Sequence, residues 1–542
     1  MEMATVAGSS RSSRTAAREG TAVSDSGNLT AWLLAAGRDE APALLHRGRT
    51  VTYGQLRREV DALAAALVET GAGRGERVGL LADNTPFFVL AYLATIRAGL
   101  CSVPFPAGTN EATFGRLAEQ AGMRRVLVQA RHLGRAAPWC ARLSLEVWPE
   151  GGWAARVPAD AAAALQGVAV DPVADPTSII FTSGSTGVPK GVMISHRNIA
   201  CNTGDIIAYL GLSERDRVLA VLSLSYCYGA SLLHTHLRVG GSVVLVESFV
   251  VLSFPERVLD EMEATACTGF AGVPSTYQIL LRRSGFARRR FPALRWLQQA
   301  GGRLPTPFIR ELRQAHPDVT LYVMYGQTEA TARLSYLPPE QLDAKLGSIG
   351  RGLPSTRLEV LGPKDQPVRP GSDEVGEIVA SGENIALGYW QDPAETARFF
   401  RDGRLRTGDL ARVDADGFIY IVDRSRDFLK CMGNRVGPKE IEEVIAEHPG
   451  VVEAAVIGVP DEVWGEAPWA FVVPVRPGTV TPEAVVAHCK ARLPSFKVPQ
   501  FVTIVEDLPR NSSGKVFKPQ LRERALQQQP RQLEIRVSGR SL

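Results

Sequence analysis

Short β-branched runs alternate with amphipathic helical stretches through the first two thirds of the chain. That alternation restricts the fold more than any other feature. Leu56, Val60, Leu63, Ala64 and Leu67 recur on one helical face over 56–70. The run 77–81 (RVGLL) then reads as a buried strand and 86–97 as the next helix. Strands at 218–222 and 242–246 and a helix at 307–315 continue the pattern. Apolar runs of this length, joined through helices, belong to largely parallel sheets. The expected class is α/β. After about residue 355 the character changes to short strands at 358–361, 375–380, 410–413 and 418–422, parted by Gly, Asp and Pro. Asp414-Ala415-Asp416-Gly417 is a hairpin turn signal, so a β-rich subdomain is expected here.

At 542 residues the chain is too long for one hydrophobic core, since such cores stop growing near roughly 250–300 residues. Five segments follow. Residues 1–27 hold no aromatic residue and read as a disordered tail. Residues 28–423 form a large body. The polar stretch DRSRD ends that body and carries a hinge at 424–427. Residues 428–526 make a small, mobile α+β lid, and 527–542, beginning Gln-Gln-Gln-Pro, read as a flexible tail. A net charge of +4 is too weak for an electrostatic claim on nucleic acid. The apolar stretch 87–96 is about half a membrane span. The seven cysteines are scattered, with no C-x-x-C pair, so a reducing cytoplasm is the expected location.

The strand 178–182 (SIIFT) runs into Ser183-Gly184-Ser185-Thr186-Gly187-Val188-Pro189-Lys190. Two glycines, three hydroxyls and a lysine suit a cradle for phosphate oxygens. It is not the P-loop pattern, because Gly191 follows Lys190. The same residues would also serve a plain structural turn.

FTSGSTGVPKGV resembles the phosphate-loop signature of the AMP-forming adenylate synthetases: acyl-CoA synthetases, peptide-synthetase adenylation domains and luciferases. Further blocks resemble that family's in the same order: Tyr325-Gly326-Gln327-Thr328-Glu329-Ala330, Thr407-Gly408-Asp409, Ile441-Glu442 and Leu508-Pro509-Arg510-Asn511-Ser512-Ser513-Gly514-Lys515. The resemblance covers about 28–526 and implies ATP and Mg2+ as cofactors. Joining a carboxylate to the α-phosphate of ATP brings two anions together, so positive charge must converge on the transition state. By resemblance, Thr182, Ser183, Gly184, Ser185, Thr186, Gly187 and Lys190 surround phosphates. Thr328 donates to the α-phosphate and Glu329 holds magnesium. Tyr325 stacks on adenine, with Gly326 beside it at the nucleotide, and Gly301 and Gly302 let backbone approach the base or the substrate carboxylate. Asp409, read as lying between strands, accepts from both ribose hydroxyls, with Arg424 as a second contact. Lys515 is the lid lysine that bridges the acid and ATP when the lobes close. The resemblance also puts a pivot at Arg426, where the family has an acidic residue or lysine. It puts a loop used in the second step at Lys430, Gly433 and Pro438.

The block Ser223 to Gly229 matches one that usually begins with proline. Tyr226, Gly229, Met324 and Gly326 are expected to border the acyl group. No Asp or Glu occurs over 223–233. An α-ammonium buried there would have no counter-charge, so the expected substrate is a carboxylic acid, aryl or aliphatic, without an α-amine. His234 and His236 would share a face if their segment is a strand, with a core role expected over metal binding. Cys227 carries no sign of an activated thiol.

The function implied is an acid ligase that forms an acyl-adenylate and pyrophosphate. It then passes the acyl group to a thiol of coenzyme A or a carrier-protein phosphopantetheine. An amide-forming ligase with an amine acceptor is the alternative, and a non-catalytic nucleotide-binding protein is a third class.

Overall fold

A computed structural model describes residues 27–182, 189–247, 253–424, 429–432, 434–461, 464–510 and 515–537. The α/β alternation resolves into two large sheets that make the body. One has seven strands in the order Gly388–Tyr389, Lys190–Ser195, Pro176–Thr182, Cys101–Phe105, Arg77–Leu81, Arg125–Val128 and Glu146–Pro149. Its pairings are parallel except for the two made by Lys190–Ser195, which runs antiparallel to both neighbours. The other has eight strands, from Ser335–Leu337 through Thr320–Tyr325, Trp296–Gln299, Gly269–Gly272, Arg217–Ala220, Ser242–Leu245 and Pro42–His46 to Arg49–Thr52. Only its two outermost pairings are antiparallel.

Local signals account for the helices. Tyr53–Val68 starts at a capping box in which the Thr52 hydroxyl accepts from Gln55 N and the Gln55 side chain accepts from Thr52 N. The predicted face Leu56, Val60, Leu63, Ala64 and Leu67 is buried, each aliphatic side chain larger than alanine contributing about 2 kcal/mol of transfer free energy. Pro86–Arg97 is buried from Phe87 to Ile96, which makes the apolar stretch 87–96 a core helix. Among the described residues no helix is long and apolar enough to cross a membrane.

The β-rich subdomain is an antiparallel sheet of Thr356–Leu361, Gly376–Gly382, Arg404–Val413, Phe400–Arg401 and Ile419–Arg424. The turn at Asp414 to Gly417 joins two of these strands as expected: Asp414 Oδ1 accepts from Asp416 N and Phe418 N at 3.0 and 2.8 Å. The C-terminal domain is α+β, with strands Leu429–Cys431, Asn434–Val436, Val451–Asp461, Gly465–Pro474 and Phe501–Ile504 beside helices Pro438–Ala446 and Pro482–Lys490. A helix over Lys518–Val537 continues through 527–530, where the sequence reads as a flexible tail. Its Arg, Glu, Leu and Gln residues are good helix formers, and Leu521 and Ala525 anchor it in the apolar cluster of the lid strands.

The lid meets the body directly. Val452, Ala455 and Ile457 of the lid share an apolar cluster with Leu280, Leu281 and Phe308 of the body. At the rim, Arg303 Nη2 lies 3.0 Å from Glu443 Oε2, and Thr306 Oγ1 donates to Glu443 Oε1 at 3.1 Å.

Candidate active site

Between the lobes lies a cleft of about 1200 Å³ lined by residues of both. The side where the sequence leads phosphates to be expected is built on a hairpin: Thr182 and Lys190 face each other across antiparallel strands, and both line the cleft. Gly191 is required there because an added Cβ would stand 2.7 Å from Ile179 Cγ2. Ser183, Gly184, Ser185, Thr186 and Gly187 lie outside the described residues. Lys190 Nζ is ion-paired with Glu395 and sits 5.1 and 4.9 Å from the ring centroids of Tyr389 and Phe399. The hydrogen bond from Lys190 holds the Glu395 carboxyl below the usual carboxylate range.

Strand Thr320–Tyr325 leads into Gly326 and the short helix Thr328–Ala330. Gly326 is sterically forced, since a Cβ would fall 1.9 Å from the Ala332 carbonyl oxygen. Thr328 and Glu329 line the cleft, and Thr328 Oγ1 lies 3.3 Å from Cys227 Sγ. Glu329 Oε1 accepts from Tyr389 OH at 3.0 Å, and its backbone oxygen accepts from Ala386 N at 2.9 Å. Burial first, and then the Glu329 charge, push the Tyr389 hydroxyl pKa up, so it remains a donor. A carboxylate held this way suits a hard cation, which takes oxygen ligands. Among the described residues no group of three or more metal-ligating side chains gathers, so magnesium here would rely on Glu329 together with phosphate and water oxygens.

Tyr325 OH donates to Asp409 Oδ2 at 2.6 Å, and both side chains are buried. Asp409 does not lie between strands, as the sequence suggests, but inside Arg404–Val413, opposite Arg424. The strand bends rather than ends. Gly408 takes φ +74°, and Thr407 Oγ1 donates to Ile378 O at 2.8 Å while accepting from Asp409 N at 3.2 Å.

Lys515 lines the cleft from the lid side. Gly301 takes φ +85°, and a Cβ built on it would stand 2.9 Å from Val273 Cγ1 and 3.7 Å from Lys515 Cε. Gly302 backs onto Pro274. The Lys515 loop is closed by the pairing of Arg510 with Val516 and by Phe517 N donating to Pro509 O at 2.7 Å. Arg510 is in turn ion-paired with Glu453, Nη2 to Oε2 at 2.5 Å, with both side chains nearly sealed from solvent.

On the acyl side, Ser223, Tyr226 and Gly229 line the cleft. Ser223, standing where proline is usual, closes the turn: its carbonyl accepts from Tyr226 N at 3.2 Å and its hydroxyl from Ser225 N at 3.3 Å. A Cβ at Gly229 would lie 2.1 Å from that Ser223 carbonyl oxygen. Met324 does not line this cleft; it is buried, and its sulfur accepts from Tyr209 OH at 3.0 Å. His234 and His236 lie on the helix Cys227–Arg238, not on a strand, and point to different partners. His234 Nε2 pairs with Tyr92 OH at 3.0 Å and His236 Nδ1 with Leu232 O at 2.9 Å. Burial lowers their pKa values to about 3 and about 4, so both are neutral. Burial pushes the Cys227 thiol up, away from thiolate chemistry.

Arg426 and Gly433 lie outside the described residues. Lys430 is exposed and away from the cleft, its N–H donating to Glu466 Oε2 at 2.7 Å, while Pro438 opens Pro438–Ala446. Glu442 ties that helix to the lid sheet, accepting from Val456 N at 2.8 Å and pairing with Lys518 Nζ at 2.7 Å. Sequence reasoning missed Tyr389 as the partner of Glu329, Glu395 as that of Lys190 and Glu453 as that of Arg510. No local pattern marks them, because each acts across a long sequence separation.

The AMP-binding enzyme family matches residues 33–390, and the AMP-binding enzyme C-terminal domain matches 440–515. A feruloyl-CoA synthase of Amycolatopsis sp is 33% identical over 488 residues, covering 89% of this chain and 96% of that protein. The crystal structure of an anthranilate CoA ligase in complex with anthranoyl-AMP superposes with a TM-score of 0.81 at 25% identity, covering 92% of this chain and 97% of the other. An O-succinylbenzoate coenzyme A synthetase from Bacillus subtilis, in complex with ATP and magnesium ion, gives 0.77 at 27% identity, over 90% and 98% of the two chains. The chain therefore belongs to the AMP-forming adenylate synthetases and is an acyl-CoA synthetase-like ligase.

Proposed function

We propose that this enzyme activates an aromatic carboxylic acid lacking an α-amine and transfers its acyl group to coenzyme A. In the first step a carboxylate oxygen attacks the α-phosphorus of ATP, and the bond to pyrophosphate breaks. In the second the thiol sulfur attacks the acyl carbon, loses its proton and expels AMP. The observation that carries the reading is Lys515 of the lid standing beside Gly301, in a cleft that also holds Thr328, Glu329 and Lys190. Positive charge from both lobes thus meets where two anions must approach. Magnesium, when bound through Glu329, supplies further charge neutralisation at the phosphates. Asp409 with Tyr325 is assigned to the ribose and adenine, and Tyr226 with Gly229 to the acyl wall.

The aromatic assignment is supported by Tyr226, Tyr228, Leu222 and Val273 on the cleft wall, and by relatives named for ferulate, anthranilate and succinylbenzoate. An α-amino acid is disfavoured because the lining helix Cys227–Arg238 offers no carboxylate. The test is a hydroxylamine-trapping screen of aryl and aliphatic acids with ATP and magnesium. The best acid is then given coenzyme A, a phosphopantetheinylated carrier or simple amines, with products identified by mass. An aryl-CoA product is expected. Activation of ordinary α-amino acids, or AMP release with none of the acids, would overturn the reading.

A further inference from the structure

Arg333 lies at the acyl end of the cleft, and neither step derived above calls on it. Its side chain is 1% exposed yet lines the cleft. The backbone around it is clamped: Arg333 N donates to Asn202 Oδ1 at 3.1 Å, and its carbonyl accepts from Asn202 Nδ2 and Asn384 Nδ2 at 2.8 and 3.0 Å. The side chain is therefore set in one direction. Its Nε donates to Tyr209 OH at 3.2 Å, its Nη2 reaches Gln298 Oε1 at 3.5 Å, and its Cζ stands 4.8 Å from the Tyr228 ring centroid.

These partners are all neutral. Among the described residues no carboxylate lies within ion-pair distance of Arg333, and its Nη1 has no hydrogen-bond partner. The neighbouring Gln298 is equally buried, and its Nε2 also has no partner. A guanidinium does not deprotonate in a protein, and a buried charge without a counter-charge is costly. A tyrosine face offsets only part of that cost. An unpaired guanidinium nitrogen on a residue that lines the cleft calls for an anion from outside the chain.

The position tells which anion. Lys515 stands beside Gly301, and Arg333 reaches Gln298, three residues earlier on the strand that leads into that glycine. Three residues of chain reach at most about 11 Å, so the two points lie within that distance of each other. Two cations thus enter one cleft at different points, Lys515 from the lid beside Gly301, where the reacting carboxylate is assigned, and Arg333 beside the Tyr228 ring.

We propose that the acid is a short dicarboxylate whose second, non-reacting carboxylate pairs with Arg333. This deepens the acid-ligase reading and rests on it. A monoacid would seal the guanidinium under its own apolar tail; a diacid gives it a bidentate partner.

The test compares matched pairs in pyrophosphate release: 4-carboxycinnamate against its 4-methyl ester and cinnamate, homophthalate against phenylacetate, and suberate against octanoate. Wild-type enzyme is expected to prefer at least one diacid over its monoacid partner by about 100-fold in kcat/KM, carried by the KM for the acid and not for ATP. R333M is expected to bring that ratio to within about threefold, and R333K to fall between. If the wild type turns over monoacids as well as or better than every diacid, the inference is wrong and the ligase reading stands. If no acid releases pyrophosphate, both are wrong. Should R333M fail to fold, the wild-type ratios alone decide.

Discussion

Arg510→Met removes the partner of a sealed carboxylate and should disable adenylation from a distance. Glu453 and Arg510 have side-chain exposures of 10% and 7%, so solvent screens their pairing little. Breaking one half of such a pair costs about 3 kcal/mol, mostly because a carboxylate is left buried and uncompensated. Arg510 also opens the loop whose other end is Val516, directly after Lys515. If that cost is relieved by releasing the loop, Lys515 loses its place beside Gly301 in all but about one molecule in 100. Pyrophosphate exchange in R510M should therefore fall roughly 100-fold. The KM for ATP should move less than about threefold, because the assigned nucleotide contacts other than Lys515 belong to the body. The pH dependence gives an independent check. Burial, only partly opposed by Arg510, already raises the pKa of Glu453 from 4.5, and removing Arg510 raises it further. A carboxyl raised on folding costs nothing when protonated in both states; the cost builds as pH climbs from its unfolded pKa to its folded pKa and is constant above that. The stability gap between wild type and R510M in urea melts should thus be small near about pH 5 and widen toward about pH 8. The double variant E453Q/R510M should close most of it. An R510M enzyme with wild-type exchange, or a stability gap that ignores pH, would refute this reasoning.

Lys515→Ala should lose adenylate formation by at least about 100-fold while equilibrium dialysis shows ATP bound within about threefold of wild type; normal exchange would remove Lys515 from the chemistry. Gly326→Ala drives a Cβ to 1.9 Å from the Ala332 carbonyl, whereas Gly417, at φ +82°, has nothing within 4 Å of its Cβ position. The first should cost more than about 3 kcal/mol in urea melts and the second about 1, from backbone strain alone. Equal losses would show the steric argument to be wrong. Glu395→Gln frees Lys190 from a carboxylate that competes with phosphate for the same ammonium. The KM for ATP should fall about threefold, a modest change for a partly exposed pair; a rise would mean that Glu395 positions Lys190 instead of restraining it.

Periodicity revealed the α/β body because strands such as Arg77–Leu81 are buried on both faces and cannot hide their composition. The site glycines were legible for a related reason. Gly229 and Gly326 each lie against a backbone carbonyl where no side chain fits, so such positions survive as motif letters. Asp409 was misplaced because a Thr-Gly-Asp triplet reads as a turn, while the hydrogen bonds of Thr407 turn it into a bend within a continuous strand. The H-x-H pair was assigned no element, since an apolar run of that length suits a strand and a core helix alike. Arg333 was invisible for the opposite reason: arginine is normally exposed, and nothing in its neighbours announces burial. The partners Glu395, Tyr389 and Glu453 were equally hidden, because each meets its site residue only after the sheets assemble.

The strand-to-strand connection over 183–188 has a consequence for how the triphosphate is handled. Many nucleotide sites rest the phosphates on the positive pole of a helix that directly follows the strand. Here Pro176–Thr182 is followed by Lys190–Ser195, and the helix His196–Leu210 begins only at the distant end of that second strand. Its macrodipole is spent far from the cleft. On the function proposed above, anion compensation then falls to Lys190 and Lys515, one on each lobe, and to magnesium held through Glu329, so a lobe rotated away would take its own share of that compensation with it. Opening the enzyme would by itself loosen its hold on a polyphosphate, so departure of pyrophosphate needs no dedicated exit machinery.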